Sequence, residues 1–365
     1  MSAYDFAVVG AGIAGASIAA ELAGQATVLL LETEDRPGYH ATGRSAAFWE
    51  QCYGGPGIVP LTLASGEYLQ AQGVLRRRGA LYVGRADQAE LLHAFMTRFA
   101  PTGAGIERLG REALAAIVPG IKPAWIGAVW EPECADIDVA ALHQHYLSRA
   151  RMRGVTLVVR ARVAGLIPDR GLWRIHCADG RGYAAATVVN AAGAWADEVA
   201  GLAGLAPLGI RPLRRTVVQL RTDPAPPRDL PLVLDIAGGF YFKPEGDRLW
   251  LSPHDEVPSD PCDAAPEELA VAEAIDRLTA VVPWRVEAVE RRWAGLRSFA
   301  PDRLPVYGRD PRLPAFAWFA GQGGYGIQTA PAAARLAAQA LLGLERDAMT
   351  AALDAMRYAP DRLLV

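Results

Sequence analysis

Three features of the chain predict an α/β fold, α+β overall, in which a doubly wound sheet is joined to a second, mixed-sheet domain. The N-terminus reads as strand, glycine turn, helix and strand. The C-terminal third returns to buried strands, another glycine-rich turn and an alanine-rich helix. Between them the alternation is twice replaced by short strands, loops and proline, as expected of inserted segments.

The first feature runs from Tyr4 to Glu32. Phe6-Ala7-Val8-Val9 is an apolar strand passing directly into Gly10-Ala11-Gly12-Ile13-Ala14-Gly15, which opens a helix ending near Gly24; Thr27 to Leu31 forms a second strand closing on Glu32. Dinucleotide binding in a Rossmann-like domain needs this order. Gly10 permits the tight turn, Gly12 lets backbone approach a pyrophosphate, and Gly15 lets the helix pack close to the strand. The helix N-terminus turns unpaired N–H groups and a positive dipole end toward the phosphates. Glu32 stands where a carboxylate accepts hydrogen bonds from ribose hydroxyls.

The bulk numbers bound the rest. A chain of 365 residues that is 51% hydrophobic and 21% charged can build a large core in two or three domains. A net charge of −3 and a pI near 6.1 supply no general attraction to nucleic acid, so a small-molecule substrate is expected. Cys52, Cys134, Cys177 and Cys262 are scattered without CxxC pairing, which argues against a disulfide framework or structural zinc. No basic n-region precedes the first strand and no stretch of about twenty residues is apolar throughout, so neither a signal peptide nor a spanning helix is expected. The expected location is the cytoplasm, with attachment to a membrane surface left open.

After Glu32, Asp35 to Ala47 reads as a loop of small residues suited to running beside a ligand. From Arg76 the character changes: Ala80 to Val83 reads as a strand, Ala86 to Ala100 as a helix and Trp125 to Trp130 as a strand, with Arg76-Arg77-Arg78 a solvated turn. Asp138 caps a helix to Arg153, Thr156 to Val163 is a strand, and Tyr183 to Ala192 is another, entering Gly193 and a helix to about Ala203. Arg215 to Leu220, Gly239 to Lys243 and Arg248 to Leu251 are short strands, and Glu267 to Val281 is a helix. From Trp293 the pattern returns to buried strands, Gly321 to Gly326, and a helix to about Leu342. Residues 1–75, 138–208 and 293–365 are therefore assigned to the cofactor domain, and 76–137 and 209–292 to the substrate domain.

The glycine fingerprint, Gly38 to Ala47, Asn190-Ala191-Ala192-Gly193-Ala194-Trp195, Trp293-Ala294-Gly295-Leu296-Arg297-Ser298-Phe299 and Gln322 to Thr329 together resemble the FAD-dependent amino-acid oxidoreductases of the D-amino-acid oxidase superfamily, and within it the bacterial D-arginine dehydrogenase branch. The five blocks occur in the same order over nearly the whole chain. The resemblance implies noncovalent FAD in a doubly wound FAD-binding domain, with a sheet-based substrate domain over the flavin. It implies oxidative deamination by hydride transfer from Cα to flavin N5, giving an imino acid that hydrolyses to a 2-oxo acid and ammonia.

By the same resemblance, cofactor contact falls to Gly10, Gly12, Ile13, Ala14, Gly15 and Glu32; to Thr42, Arg44, Ser45 and Ala46; to Val163, Ala192 and Gly193; and to Gly323, Gly324, Tyr325, Gly326 and Ile327. Arg297 becomes the substrate-carboxylate clamp, a role suited to a guanidinium that donates two parallel hydrogen bonds. Tyr241 and Tyr53 add hydroxyls, and Gly324 borders substrate and flavin. Arg214 aligns with a further substrate arginine, although Arg215 is adjacent and a one-residue slip on a strand exchanges their directions. No side-chain base stands out: His40 reads as a loop residue, and His143 and His145 point about 200° apart on a helix, a poor metal pair. No metal is expected, and the ammonium proton is expected to leave to solvent.

Where the D-arginine branch carries a histidine and a glutamate for the basic side chain, the alignable positions here are Phe48 and Ala80. A cation without its carboxylate costs several kcal/mol, so neutral or apolar D-amino acids are expected, with Glu50 as a compensating acid in another loop arrangement. Glycine- or sarcosine-type amine oxidation, L-proline-type or 2-hydroxy-acid dehydrogenation, and a noncatalytic flavin-binding subunit are the competing readings. Dioxygen, a quinone or another carrier all fit as electron acceptor.

Overall fold

The computed structural model describes residues 3–364. Its strands form an eight-stranded sheet, a nine-stranded sheet and a small three-stranded one. In the first, Tyr4–Val9 lies between Val28–Leu31 and Gly182–Asn190, all parallel; Thr156–Val158 extends one side and Leu313–Ala320 the other. Antiparallel hairpins close the margins, Val163–Asp169 with Leu172–Cys177, and Val306–Asp310 with Leu313–Ala320.

Residues that alternate along the first strand face opposite layers, as a strand requires. Phe6 and Val8 pack under the helices Ile13–Leu22 and Gly326–Leu342, while Ala7 and Val9 face a cluster holding Trp173, Val199 and Trp318. Both faces of the parallel strands are thus covered, which is why Val28–Leu31 is apolar at every position. Helix Val139–Met152 packs on Ile13–Leu22 through Leu142, Tyr146 and Ala150, and its expected cap is present: Ala141 N donates to Asp138 Oδ1 at 2.9 Å.

In the nine-stranded sheet, Leu232–Asp235 runs parallel to Ala80–Arg85 and its other neighbour, Tyr241–Glu245, is antiparallel. Helix Glu268–Val281 covers one face through Ala274, Leu278 and Val281. The dominant feature is a long antiparallel ribbon of Arg211–Asp223 and Arg285–Phe299, in register from Arg211↔Phe299 to Asp223↔Arg285 with two bulges. Residues 293–299, expected with the first sheet, are hydrogen-bonded into this one. The return to buried strands from Trp293 grouped them with the C-terminal section, but the ladder to residues 211–217 decides their place.

Two other expectations are corrected. The strand expected over Thr156 to Val163 stops at Val158, because Arg160 adopts φ 52° and turns the chain before Val163 starts the marginal hairpin. Leu75–Arg77 is a strand of the small sheet, paired with Ala135–Ile137, which also pairs Phe48–Trp49. Arg78 beside it is buried, and its Nε donates to Asp136 Oδ2 at 2.7 Å.

Candidate active site

The glycine turn has the close contacts its sequence implies. Gly10 sits at φ 97° and a Cβ there would lie 2.6 Å from the Ala191 carbonyl oxygen; one on Gly15 would lie 1.7 Å from that of Gly10. Helix and strand are therefore in backbone contact. Ile13 N donates to Thr42 Oγ1 at 3.0 Å, tying the helix start to the following loop. Glu32 accepts from Ala11 N at 2.7 Å and Glu34 N at 2.9 Å, which fixes a buried carboxylate at the end of the second strand.

A cavity of about 530 Å³ opens along these groups. Gly10, Gly12, Ile13, Ala14, Glu32, Thr42, Arg44, Ser45, Ala46, Val163, Ala192, Gly193, Gly323, Gly324, Gly326 and Ile327 all line it. Two of the expected cofactor residues stand elsewhere. Gly15 lies beneath the turn as a packing contact, and Tyr325 packs its ring against Tyr53 and Phe299 with its hydroxyl donating to the Arg303 carbonyl. Helices Ile13–Leu22 and Gly326–Leu342 both begin at the cavity wall, so two positive dipole ends face one space. Residues 263–264 strap the mouth: Arg44 donates to the Ala264 carbonyl at 2.9 Å and pairs with Asp263, which also accepts from the Tyr39 hydroxyl at 3.1 Å. The fixed acid, the glycine turn and a volume typical of ligand sites fit an adenine dinucleotide.

At one end the cavity meets a smaller one of about 40 Å³, sharing Arg215, Tyr241, Arg297 and Gly324 with it. Arg297 is half-buried and its Nη1 donates to the Tyr53 hydroxyl at 2.6 Å. Among the described residues it makes no ion pair. Arg215, not Arg214, accompanies it. In the ribbon Leu213 pairs with Arg297 and Arg215 with Gly295, so Arg215 and Arg297 are diagonal neighbours on one face. Arg214 faces the other way and pairs with Glu267 at 2.6 Å. Burial, then the neighbouring Arg297, holds Arg215 down to about 10. Its Nε donates to the Asp255 carbonyl at 2.6 Å, and its buried Nη1 has no partner among the described residues.

Phe48 and Tyr53 line the small cavity, and Gly324 has no room for a side chain: a Cβ would fall 1.9 Å from Tyr53 Oη. Ala80 does not line it. It lies in the cluster behind, with Cys52, Tyr82 and Tyr241, because the alternation of its strand turns it toward that layer. Sequence reasoning passed over Leu232, Leu234, His254 and Gln328, which do line it, and placed Glu50 there only as an alternative. His254 has the left-handed φ of 58° and is held down to about 3 by burial and by Arg215 and Arg297. Its Nδ1 lies 3.0 Å from the Gly238 carbonyl, an acceptor, which assigns the proton to Nδ1 and the lone pair to Nε2. Nothing in the local sequence announces it.

His40 pairs with Glu34, and His143 and His145 bond the Ala11 carbonyl and the Tyr68 hydroxyl. Among the described residues no group of three or more His, Cys, Asp or Glu is placed to hold a metal, and no helix is long and apolar enough to cross a membrane.

The sequence profile of the FAD dependent oxidoreductases, the DAO family, matches residues 5–340. The chain belongs to this family. FAD is accordingly the cofactor of this flavoprotein. Among DAO-family relatives it is similar to glycine oxidase of Geobacillus kaustophilus, 26% identical over 347 residues and 90% of each chain. The crystal structure of glycine oxidase from that organism superposes with a TM-score of 0.84 at 25% identity over 98% of both chains. L-proline dehydrogenase from P. horikoshii shares the fold, with a TM-score of 0.86 at 22% identity over 99% of this chain and 98% of that one. The L-2-hydroxyglutarate dehydrogenase of Escherichia coli K12 is 26% identical over 216 residues, 56% of this chain; the match spans about half, 51%, of that relative's length. These similarities carry the DAO family and do not single out its D-arginine branch.

Proposed function

We propose that the chain oxidises a small D-amino acid with a neutral or apolar side chain to the imino acid, which water converts to a 2-oxo acid and ammonia. The observation that carries this reading is Arg297, a half-buried guanidinium at the cavity wall with no carboxylate partner among the described residues. An unpaired charge drawn out of water is costly, and a substrate carboxylate supplies the missing anion.

FAD, when bound, supplies the acceptor for the hydride that leaves Cα. The protein's part is to hold and orient. Arg297 and the free Nη1 of Arg215 grip the carboxylate, with the hydroxyls of Tyr53 and Tyr241 at hand. Tyr53 exchanges its bond to Arg297 for one to substrate. Gly324 lets the ligand approach the backbone at the start of the last long helix. The small cavity, with Phe48, Leu232 and Leu234 on its wall, accommodates a short side chain. A depressed His254 is a neutral hydrogen-bond acceptor, so the ammonium proton leaves to solvent. Full-length similarity to glycine oxidase and the small cavity favour one second reading, a glycine- or sarcosine-type amine substrate.

The test is anaerobic bleaching of the flavin absorbance in the purified holoprotein by matched D- and L-amino acids, with glycine and sarcosine in the same panel. Rapid bleaching by small neutral D-forms is expected. Bleaching by sarcosine or glycine alone replaces this reading with the second, and bleaching by L-forms alone, or a flavin that nothing in the panel reduces, removes both.

A further inference from the structure

Resting on the reading that the substrate is a small D-amino acid, we propose that Glu50 selects its side chain, acting as a neutral carboxylic acid that donates a hydrogen bond, so that the preferred side chain carries a hydroxyl or carbonyl oxygen. The mechanism above makes no use of this residue. Yet Glu50 is 3% exposed and lines the small cavity.

Its main chain is pinned from both sides by one amide. Glu50 N donates to Gln328 Oε1 at 3.3 Å, and Gln328 Nε2 donates to the Glu50 carbonyl at 3.0 Å. The side chain is fixed by the Tyr82 hydroxyl, which donates to Oε1. No described residue bonds Oε2. It shares its cavity with the apolar Phe48, Leu232, Leu234 and Ile327 and, toward the carboxylate end, with Arg215 and Arg297.

The groups facing this carboxyl decide where its proton goes. Glu131 is the nearest acid, and its oxygens accept from Gln51 N at 2.6 Å and Cys52 N at 3.3 Å. Burial raises Glu131 to about 7, and the two backbone donors work the other way by favouring its anion. Cys52 and Cys134 are buried thiols that burial pushes up, so both stay neutral, and Tyr82 acts as a donor. Burial and Glu131 push Glu50 well above the usual carboxylate range, and Arg297 alone pulls the other way. A substrate carboxylate on Arg297 cancels that pull. Glu50 therefore holds its proton more firmly in the complex than in the free protein.

An O–H left facing a methyl group is an unpaired donor, whereas a substrate oxygen satisfies it. A cationic side chain would add a third positive charge to a pocket already holding Arg215 and Arg297. A volume of about 40 Å³ keeps the group short.

The experiment measures kcat/KM of the FAD holoprotein for D-alanine, D-serine, D-valine, D-threonine and D-arginine from pH 6 to 9, in wild type, Glu50→Gln and Glu50→Leu. Wild type should favour serine over alanine and threonine over valine about tenfold, the value of one good hydrogen bond. Glu50→Gln, a permanent neutral donor, should keep that ratio at every pH, and wild type should run parallel to it, because a Glu50 that keeps its proton gives the ratio no pH dependence. Glu50→Leu should bring it to about one. If Glu50→Leu does not fold, the comparison of wild type with Glu50→Gln decides alone. An unchanged ratio in Glu50→Leu, a ratio that falls in Glu50→Gln, a wild-type ratio that changes with pH where that of Glu50→Gln does not, or a wild-type preference for D-arginine lost in Glu50→Gln would overturn the proposal. Reduction of the wild-type flavin by sarcosine but by no D-amino acid removes the reading beneath it instead, an outcome separable because it needs no variant.

Discussion

At the scale of single residues, the clamp offers a direct comparison. Arg297→Lys replaces a two-pronged donor by a point charge, and losing charged hydrogen bonds worth about 3 kcal/mol in total should lower kcat/KM about a hundredfold. Arg215→Met should cost about tenfold in KM for the same substrate, while Arg214→Met, which loses only its pair with Glu267, stays within about threefold. Steady-state kinetics of the three variants would separate them; equal effects at 214 and 215 would contradict the ribbon's register. Arg297 was legible as the candidate clamp because it lies in a distinctive block. Its partner was not, because two adjacent arginines on a strand look alike until pairing fixes which face each takes. His254 was illegible for a different reason: what marks it is a backbone angle and two distant arginines.

The buried acids also make stability depend on pH. Glu50 and Glu131 both titrate above the unfolded carboxyl range of about 4.3, Glu131 at about 7. Below the unfolded value both states keep their protons and no penalty applies. As pH rises toward 7 the unfolded chain releases protons that the folded chain retains, so stability falls across that window. His254, held down to about 3, works in the opposite direction below about 6.5, so the contrast between variants is the test: from pH 4.5 to 7.5 the thermal unfolding midpoint should fall more, or rise less, in wild type than in Glu50→Gln.

At the scale of elements, the first βαβ unit is where sequence and structure agree most closely. Gly10 and Gly15 are fixed by backbone contacts that any side chain would violate. Gly15→Ala puts a methyl into the Gly10 carbonyl oxygen, and the helix must shift to admit it. The variant should purify without yellow colour and with a lowered melting temperature; full FAD content would refute this account of the turn. Other elements were opaque. Helix Val59–Ala71 contains Pro60, Gly66 and several small residues, so its periodicity is faint, although burial of Leu61, Ser65 and Leu69 holds it in place. The strand Arg285–Phe299 is charged along its first half, where it is exposed, and only tertiary pairing makes it a strand.

At the scale of the whole molecule, the cavity is closed by contacts between distant parts of the chain, and their strength sets how firmly FAD is kept. Asp263 is largely exposed, so its pair with Arg44 is worth little more than about 1 kcal/mol. Asp263→Ala should raise the FAD dissociation constant by up to about fivefold, read from recovery of flavin binding on titrating FAD into the apoprotein. The wild-type affinity should weaken with salt where the variant's does not. Fold class and cofactor site were legible at this scale because they rest on local glycine chemistry repeated at both ends of the chain. The side-chain end of the pocket was not, because it draws on three separate stretches, residues 48–53, 232–241 and 324–328.

The ribbon has a further consequence for descent. Arg215 and Arg297 owe their spacing to a ladder of main-chain hydrogen bonds that most substitutions leave untouched, whereas Phe48, Glu50, Leu232 and Leu234 are carried by other, independently variable stretches. A lineage can therefore retool which side chain is accepted while inheriting the grip on the carboxylate unchanged.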